Sequence, residues 1–441
     1  MTQALFPRSF RKAYPEAVRG EGCTLITADG RRILDAAGSA AVVSVGHGRK
    51  EVADAMAAQA AQLAFAHTSQ FHTAIAGQLA ERLLALAPAP FRKGGRVIFT
   101  SGGSEAAETA LKLARQFHLE RGEPDRVRMV SRRQSYHGST LGAMAVSGNL
   151  ARRAPYQPLL PEWGHIAPCY CYRCPFGKTY PDCAIACAED LEALLQEVQP
   201  SSVAAFFFEP ISGATLGAAE PPDGYAQRIA EICRQHGVLL IADEVMTGMG
   251  RTARPFAVDH WAVSPDMILL GKGLASGYAP LGAVLVAPRV AEAIAAGSGA
   301  FAHGFTYQAH PVAMAAGHAV LDILLREKLF DRVQSAGAAL RLALQPLTAS
   351  PFVGDIRGRG LLLGVELLRD RQTRQPFPAV LGVAERVRET AYEHGVAVYP
   401  IQGCVDGAAG DHLLLAPPFI LTDAEAGQIA AALEAALAQL G

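Results

Sequence analysis

Short apolar runs recur along the chain at 96–99 (RVIF), 203–208 (VAAFFF), 237–242 (GVLLIA), 267–270 (MILL) and 282–287 (GAVLVA). Such runs suit strands buried on both faces, as in a parallel sheet covered by helices. Helical spacing of apolar residues marks 51–66 (EVADAMAAQAAQLAFA), 73–87 (TAIAGQLAERLLALA) and 225–237 (YAQRIAEICRQHG). Nearer the N-terminus, GCTLITADGRRILDAAG reads as two β-rich runs around Asp29-Gly30, a good hairpin turn. The alternation predicts an α/β sheet region over about 60–325. A helical connection over 313–344 then leads to a C-terminal α+β piece.

Composition narrows the class. Half of the 441 residues are hydrophobic, enough for a large core, and Lys plus Arg (40) balances Asp plus Glu (41). That balance lacks the basic footprint of a nucleic-acid binder. MTQALFPRSFRKAYPE has no apolar core of a signal peptide, and no uncharged apolar run approaches the ~18 residues of a membrane span. The expectation is a soluble cytoplasmic protein, with no nucleic-acid or membrane partner. In that compartment clustered thiols point to metal or redox chemistry more than to structural disulfides.

Ligands of open α/β sheets sit beyond the carboxyl ends of the strands, so the residues after each apolar run matter most. After RVIF comes Thr100-Ser101-Gly102-Gly103-Ser104-Glu105 and a helix. This is either an ordinary capped loop or a helix N-terminus offered to a phosphate. After VAAFFF comes Glu209, and after GVLLIA come Asp243 and Glu244; one carboxylate would be a cap, but two on separate strands suggest a site. After MILL comes Gly271-Lys272-Gly273. A lone lysine usually snorkels to water, yet one between glycines at a buried strand end can present a desolvated, low-pKa amine. Together these are a phosphate cradle, an acid and an amine, the three things pyridoxal phosphate requires of a protein.

At this point the chain resembles the class III, fold-type I, pyridoxal-phosphate aminotransferases, the group of ω-amino acid and amine transaminases. The resemblance rests on TSGGSEAAETALKLAR, SYHGST, FFFEPISG, GVLLIADEVMTGMGRT, SPDMILLGKGLASGYAPLGAVLV, HGFTYQAHPVAMAA and LLLAPPFILTDAE, in that order over nearly the whole length. It implies a large, mostly parallel seven-stranded sheet domain (60–325), and a smaller α+β domain built from the N-terminal (1–59) and C-terminal (326–441) parts. It implies that Lys272 forms the internal aldimine with pyridoxal 5′-phosphate and moves the proton between Cα and C4′, while Asp243 pairs with the pyridine nitrogen. Val245 would pack under the ring and Tyr136 over it, with His137 supporting that tyrosine. Gly103 and Ser104 would hold the phosphate, Glu209 would lie on the ring's hydroxyl side, and His310 would be structural. Thr306 would reach the phosphate of a neighbouring subunit, which makes the expected assembly a homodimer or a dimer of dimers. The implied reaction is ping-pong transfer of an amino group from a small amine or ω-amino acid to a keto acid.

The pattern departs from the family where substrate carboxylates are gripped. Leu414 and Gly407 stand at two positions where family members carry an arginine. Arg152, Arg153 and Arg357 are the candidates to replace it, and the expected acceptor is pyruvate rather than 2-oxoglutarate. Ala41 stands where amine transaminases carry an aromatic residue near the pocket. On the same fold, an aminomutase or a decarboxylase is the rival enzyme, and a non-catalytic pyridoxal-phosphate sensor is the rival of another class.

Five of the eight cysteines fall in 169–187, CYCYRCPFGKTYPDCAIAC. The spacing Cys171-x2-Cys174-x8-Cys183-x3-Cys187, with Cys169 as a possible substitute, suits four thiolates on a zinc ion or an iron–sulfur cluster. The alternative is a loop whose thiols pack as small apolar groups.

Overall fold

The computed structural model describes residues 4–440, so residues 1–3 and 441 of the outermost predicted segments lie outside it. Seven strands form the main sheet, in the order Arg96–Thr100, Gly282–Val286, Met267–Leu270, Leu239–Asp243, Val203–Phe208, Arg128–Arg132 and Gly164–Ile166. Only Gly282–Val286 runs antiparallel to its neighbours. The other six therefore deliver their carboxyl ends to one edge of the sheet.

Alternation within the apolar runs explains why both faces are covered. Phe206 and Phe208, Leu240 and Ala242, and Ile268 and Leu270 enter one core. Phe207, Leu239 and Ile241, and Met267 and Leu269 enter the other. The second core is closed by Ala106, Ala110, Leu113 and Phe117 of helix Gly103–Glu120. The first takes Ile229 and Ile232 of helix Tyr225–His236, and Met314 and Val320 of helix Pro311–Arg326. At roughly 1.5–3 kcal/mol per buried large apolar side chain, these two layers supply the bulk of the driving force for folding.

All five apolar runs are strands. Two strands carried no such signal: Arg128–Arg132 holds two arginines, and Gly164–Ile166 is only three residues long. The first is inside the sheet because Arg132 is buried with its guanidinium donating to the Glu209 carbonyl. The helical connection is two helices, Pro311–Arg326 and Leu329–Leu344, broken at Lys328 (φ 51°). The Asp29-Gly30 turn joins Thr24–Thr27 to Arg32–Asp35, with Gly30 at φ 83° as such a turn requires.

Two further sheets have four strands each. In the first, Val396–Ala397 pairs in parallel with Arg32–Asp35, tying the late part of the chain to the early part. The second is ordered Val353–Arg359, Leu362–Leu367, Asp411–Leu415, Tyr399–Gln402. Among the described residues no helix is long and apolar enough to cross a membrane.

Candidate active site

The carboxyl-end edge of the main sheet opens into a cleft lined by Gly103, Ser104, Tyr136, His137, Gly138, Glu209, Ile211, Ala214, Asp243, Val245, Met246 and Lys272. Its cavity volume is about 170 Å³. Eight of the nine cofactor residues expected from the sequence meet here. Thr306 is the exception: it is exposed, on the loop before helix Pro311–Arg326.

Lys272 follows strand Met267–Leu270 and adopts φ 41°, an uncommon conformation for a residue with a side chain. Gly271 lets this turn approach the start of helix Gly103–Glu120: a Cβ there would lie 3.3 Å from Val245 Cγ1 and 3.4 Å from the Gly103 nitrogen. The Lys272 side chain opens on the cleft while its amine lies deep in the protein. Desolvation pushes the amine down to about 8, against the opposing pull of Asp243 and Glu209. That raises the neutral fraction near neutral pH well above an ordinary lysine's, as a nucleophilic amine needs.

Asp243 is held from two sides. Its Oδ2 lies 2.7 Å from His137 Nδ1, and its Oδ1 accepts the Val245 N–H at 3.0 Å. His137 thus braces the aspartate, a role the sequence reading missed, since it set His137 only beside Tyr136. His137 Nε2 is buried without a partner. The adjacent Glu244 turns the other way into the core, accepting the Val258 N–H at 2.9 Å, and burial raises its carboxyl to about 7. Glu209 accepts the Gly213 N–H at 3.2 Å through Oε1, holds Oε2 without a hydrogen bond 3.9 Å from the Arg132 guanidinium, and is raised by burial. Helix Gly103–Glu120 points its first N–H groups at the cleft, and Ser104 Oγ accepts the Ser139 N–H at 3.0 Å. The wall at Ala214 is supported from behind by buried His412, whose Nε2 donates to the Ala214 carbonyl at 2.7 Å. Ala41 is buried in the core and does not line the cleft.

The metal expectation is corrected. Cys171, Cys174, Cys183 and Cys187 line one small cavity. Even so, among the described residues no three or more Cys, His, Asp or Glu side chains converge closely enough to hold a metal ion. The thiols sit on separate elements: Cys171 on a short turn, Cys187 in the first turn of helix Ala186–Val198, and Cys183 on the turn before it. Cys169, read as a spare, is the one at the centre. It is buried, with its Sγ 3.7 Å from that of Cys187, and hydrogen bonding with it lowers Cys171 and Cys187. Neither zinc nor an iron–sulfur cluster is supported at this segment. Hydrogen bonding brings exposed Cys171 to about 7, while burial holds Cys404 at about 12. Iodoacetamide at pH 7.5 is therefore expected to alkylate Cys171 before any other thiol, as read by peptide mass spectrometry. Equal labelling of buried Cys23, Cys233 and Cys404 would contradict this arrangement.

The comparisons agree with this geometry. The class-III aminotransferase family profile matches residues 7–437. An uncharacterised aminotransferase of Schizosaccharomyces pombe is 40% identical over 97% of this chain and 94% of its own length. Another, from Bacillus subtilis, is 37% identical over 96% and 95%. Among solved structures, an amine transaminase from an uncultivated Pseudomonas species superposes with a TM-score of 0.91 at 38% identity, covering 100% of this chain and 98% of that one. An (S)-enantioselective ω-transaminase from Thermomicrobium roseum gives 0.92 at 36%, covering 99% and 96%. The chain belongs to the class-III aminotransferase family, with the fold-type I architecture, and it is an aminotransferase.

Proposed function

We propose that this aminotransferase uses pyridoxal 5′-phosphate to move an amino group from an amine or ω-amino acid to a keto acid, pyruvate in preference to 2-oxoglutarate, in two alternating half-reactions. The observation that carries the reading is the meeting of Lys272, Asp243 and a helix N-terminus in one cleft. The residues fit the cofactor. Desolvation lowers the Lys272 amine to about 8, Asp243 is braced by His137 and the Val245 N–H, and Glu209 Oε2 and His137 Nε2 are buried polar atoms without a hydrogen bond. When bound, the cofactor supplies the electron sink that makes a substrate Cα–H acidic.

In this reading Gly103 and Ser104 hold the phosphate, and Tyr136 and Val245 fix the ring plane. Asp243 keeps the pyridine nitrogen protonated, Glu209 faces the ring's hydroxyl side, and Lys272 carries the proton between substrate and cofactor carbon. Thr306 serves the phosphate of a second copy. Support for that homodimer comes from exposed aromatic residues beside it: Tyr307 is 62% exposed, and its ring lies 5.9 Å from that of Phe65.

The acceptor preference follows from charge. 2-Oxoglutarate carries two carboxylates and needs two cations. Leu414 is a buried residue of strand Asp411–Leu415 and Gly407 has no side chain, so neither position supplies one. With a primary amine alone, carbonyl product should stop at an amount equal to the enzyme; pyruvate should then restore turnover faster than 2-oxoglutarate. Sustained turnover without acceptor would indicate a mutase, and release of carbon dioxide a decarboxylase.

A further inference from the structure

We propose that Arg152 is the residue that binds the carboxylate of the keto acid acceptor, an assignment that rests on the transaminase reading above. A carboxylate entering a largely apolar cleft needs a cation whose donors are free to pair with it. Three arginines could serve, and the structure separates them. Arg357 is spent: its guanidinium is paired with Glu366 at 2.7 Å and Asp355 at 3.1 Å, and donates to the Leu216 carbonyl. Arg153 is buried, donating to the Ser147 carbonyl at 2.9 Å and lying against His165.

Arg152 is different. Its guanidinium carbon lies 4.7 Å from the centroid of the Tyr136 ring, and Tyr136 lines the cleft. The side chain is exposed, and among the described residues its guanidinium pairs with no carboxylate; only its backbone N–H is used, donating to Asn149 Oδ1 at 3.0 Å. Its charge is close enough to Lys272 to act on that amine. Stacking on Tyr136 orients the planar fork while leaving all five of its N–H donors unpaired, the arrangement that suits a bidentate contact with a small carboxylate. A single cation at this place matches a monocarboxylic 2-oxo acid.

The test compares acceptors that differ only in charge. The pyridoxamine-phosphate form of the wild type, Arg152→Gln and Arg152→Lys is mixed with pyruvate and, separately, with a neutral aldehyde, following the cofactor spectrum. For Arg152→Gln, kcat/KM with pyruvate should fall roughly 10- to 100-fold, mainly through KM, and fall much less with the aldehyde. Arg152→Lys should recover part of the loss. Propionate, which has the carboxylate but no carbonyl, should bind the wild type and bind Arg152→Gln about 10-fold or more weakly by calorimetry. Equal losses for pyruvate and aldehyde, or unchanged propionate binding, would overturn the assignment to Arg152 alone. A wild-type enzyme that reacts with neither acceptor would overturn the transaminase reading, and the assignment with it.

Discussion

Lys272→Ala should remove transamination by ~10⁴-fold or more while leaving the fold intact. In the proposed function the lysine would supply two things at once: the amine that bonds the cofactor's aldehyde and the base that moves the proton. No second lysine lines the cleft. The same substitution has an opposite effect on stability. Below about pH 8 the folded cofactor-free protein holds a protonated, desolvated amine, whereas the unfolded chain keeps the ordinary value of 10.5. The penalty is therefore full below pH 8, shrinks as pH rises, and is gone above 10.5. Cofactor-free Lys272→Ala should be more stable than the wild type by roughly 1–3 kcal/mol at pH 7, with the difference vanishing toward pH 10.5. Denaturant titrations at the two pH values, beside a transamination assay, check both halves. A variant that is inactive but also unfolded at pH 7 would contradict the account of the buried amine.

Asp243→Asn carries the second large effect. The carboxylate is fixed by His137 at 2.7 Å and by the Val245 N–H at 3.0 Å, at the end of a fully buried strand. Asparagine keeps the shape and removes the charge, so under the proposed function the cofactor would still enter but its ring nitrogen would no longer be held protonated. By analogy with removal of one preorganised electrostatic contact, kcat should drop ~10²–10³-fold with cofactor affinity changed much less. Single-turnover kinetics with a primary amine would separate the two quantities. An unchanged rate would place the ring nitrogen away from Asp243.

Much of this was legible in the sequence, for identifiable reasons. Strands covered on both faces must be apolar throughout, so the runs followed by Thr100, Glu209, Asp243 and Gly271-Lys272 pointed to both the sheet and its functional edge. What escaped was set by contacts distant in sequence. Strand Arg128–Arg132 is polar because Arg132 spans to the Glu209 carbonyl, 77 positions away. The bracing of Asp243 by His137 spans 106 positions, and no local pattern encodes it. For the cysteines, spacing favoured Cys171, Cys174, Cys183 and Cys187, whereas the structure centres the thiol contacts on Cys169. Thiol spacing alone cannot tell ligands that converge on one point from residues packed along a loop. The free guanidinium of Arg152 emerged only when the partners of Arg153 and Arg357 were known.

The central claim is that Lys272 is the residue that bonds pyridoxal phosphate. Borohydride reduction of the cofactor-loaded wild-type protein, followed by digestion and peptide mass mapping, tests it most directly. The account predicts a single reduced pyridoxyl adduct on the peptide containing Lys272, absent from Lys272→Ala treated in the same way. An adduct on another lysine, or an unmodified Lys272 peptide from loaded protein, would contradict it.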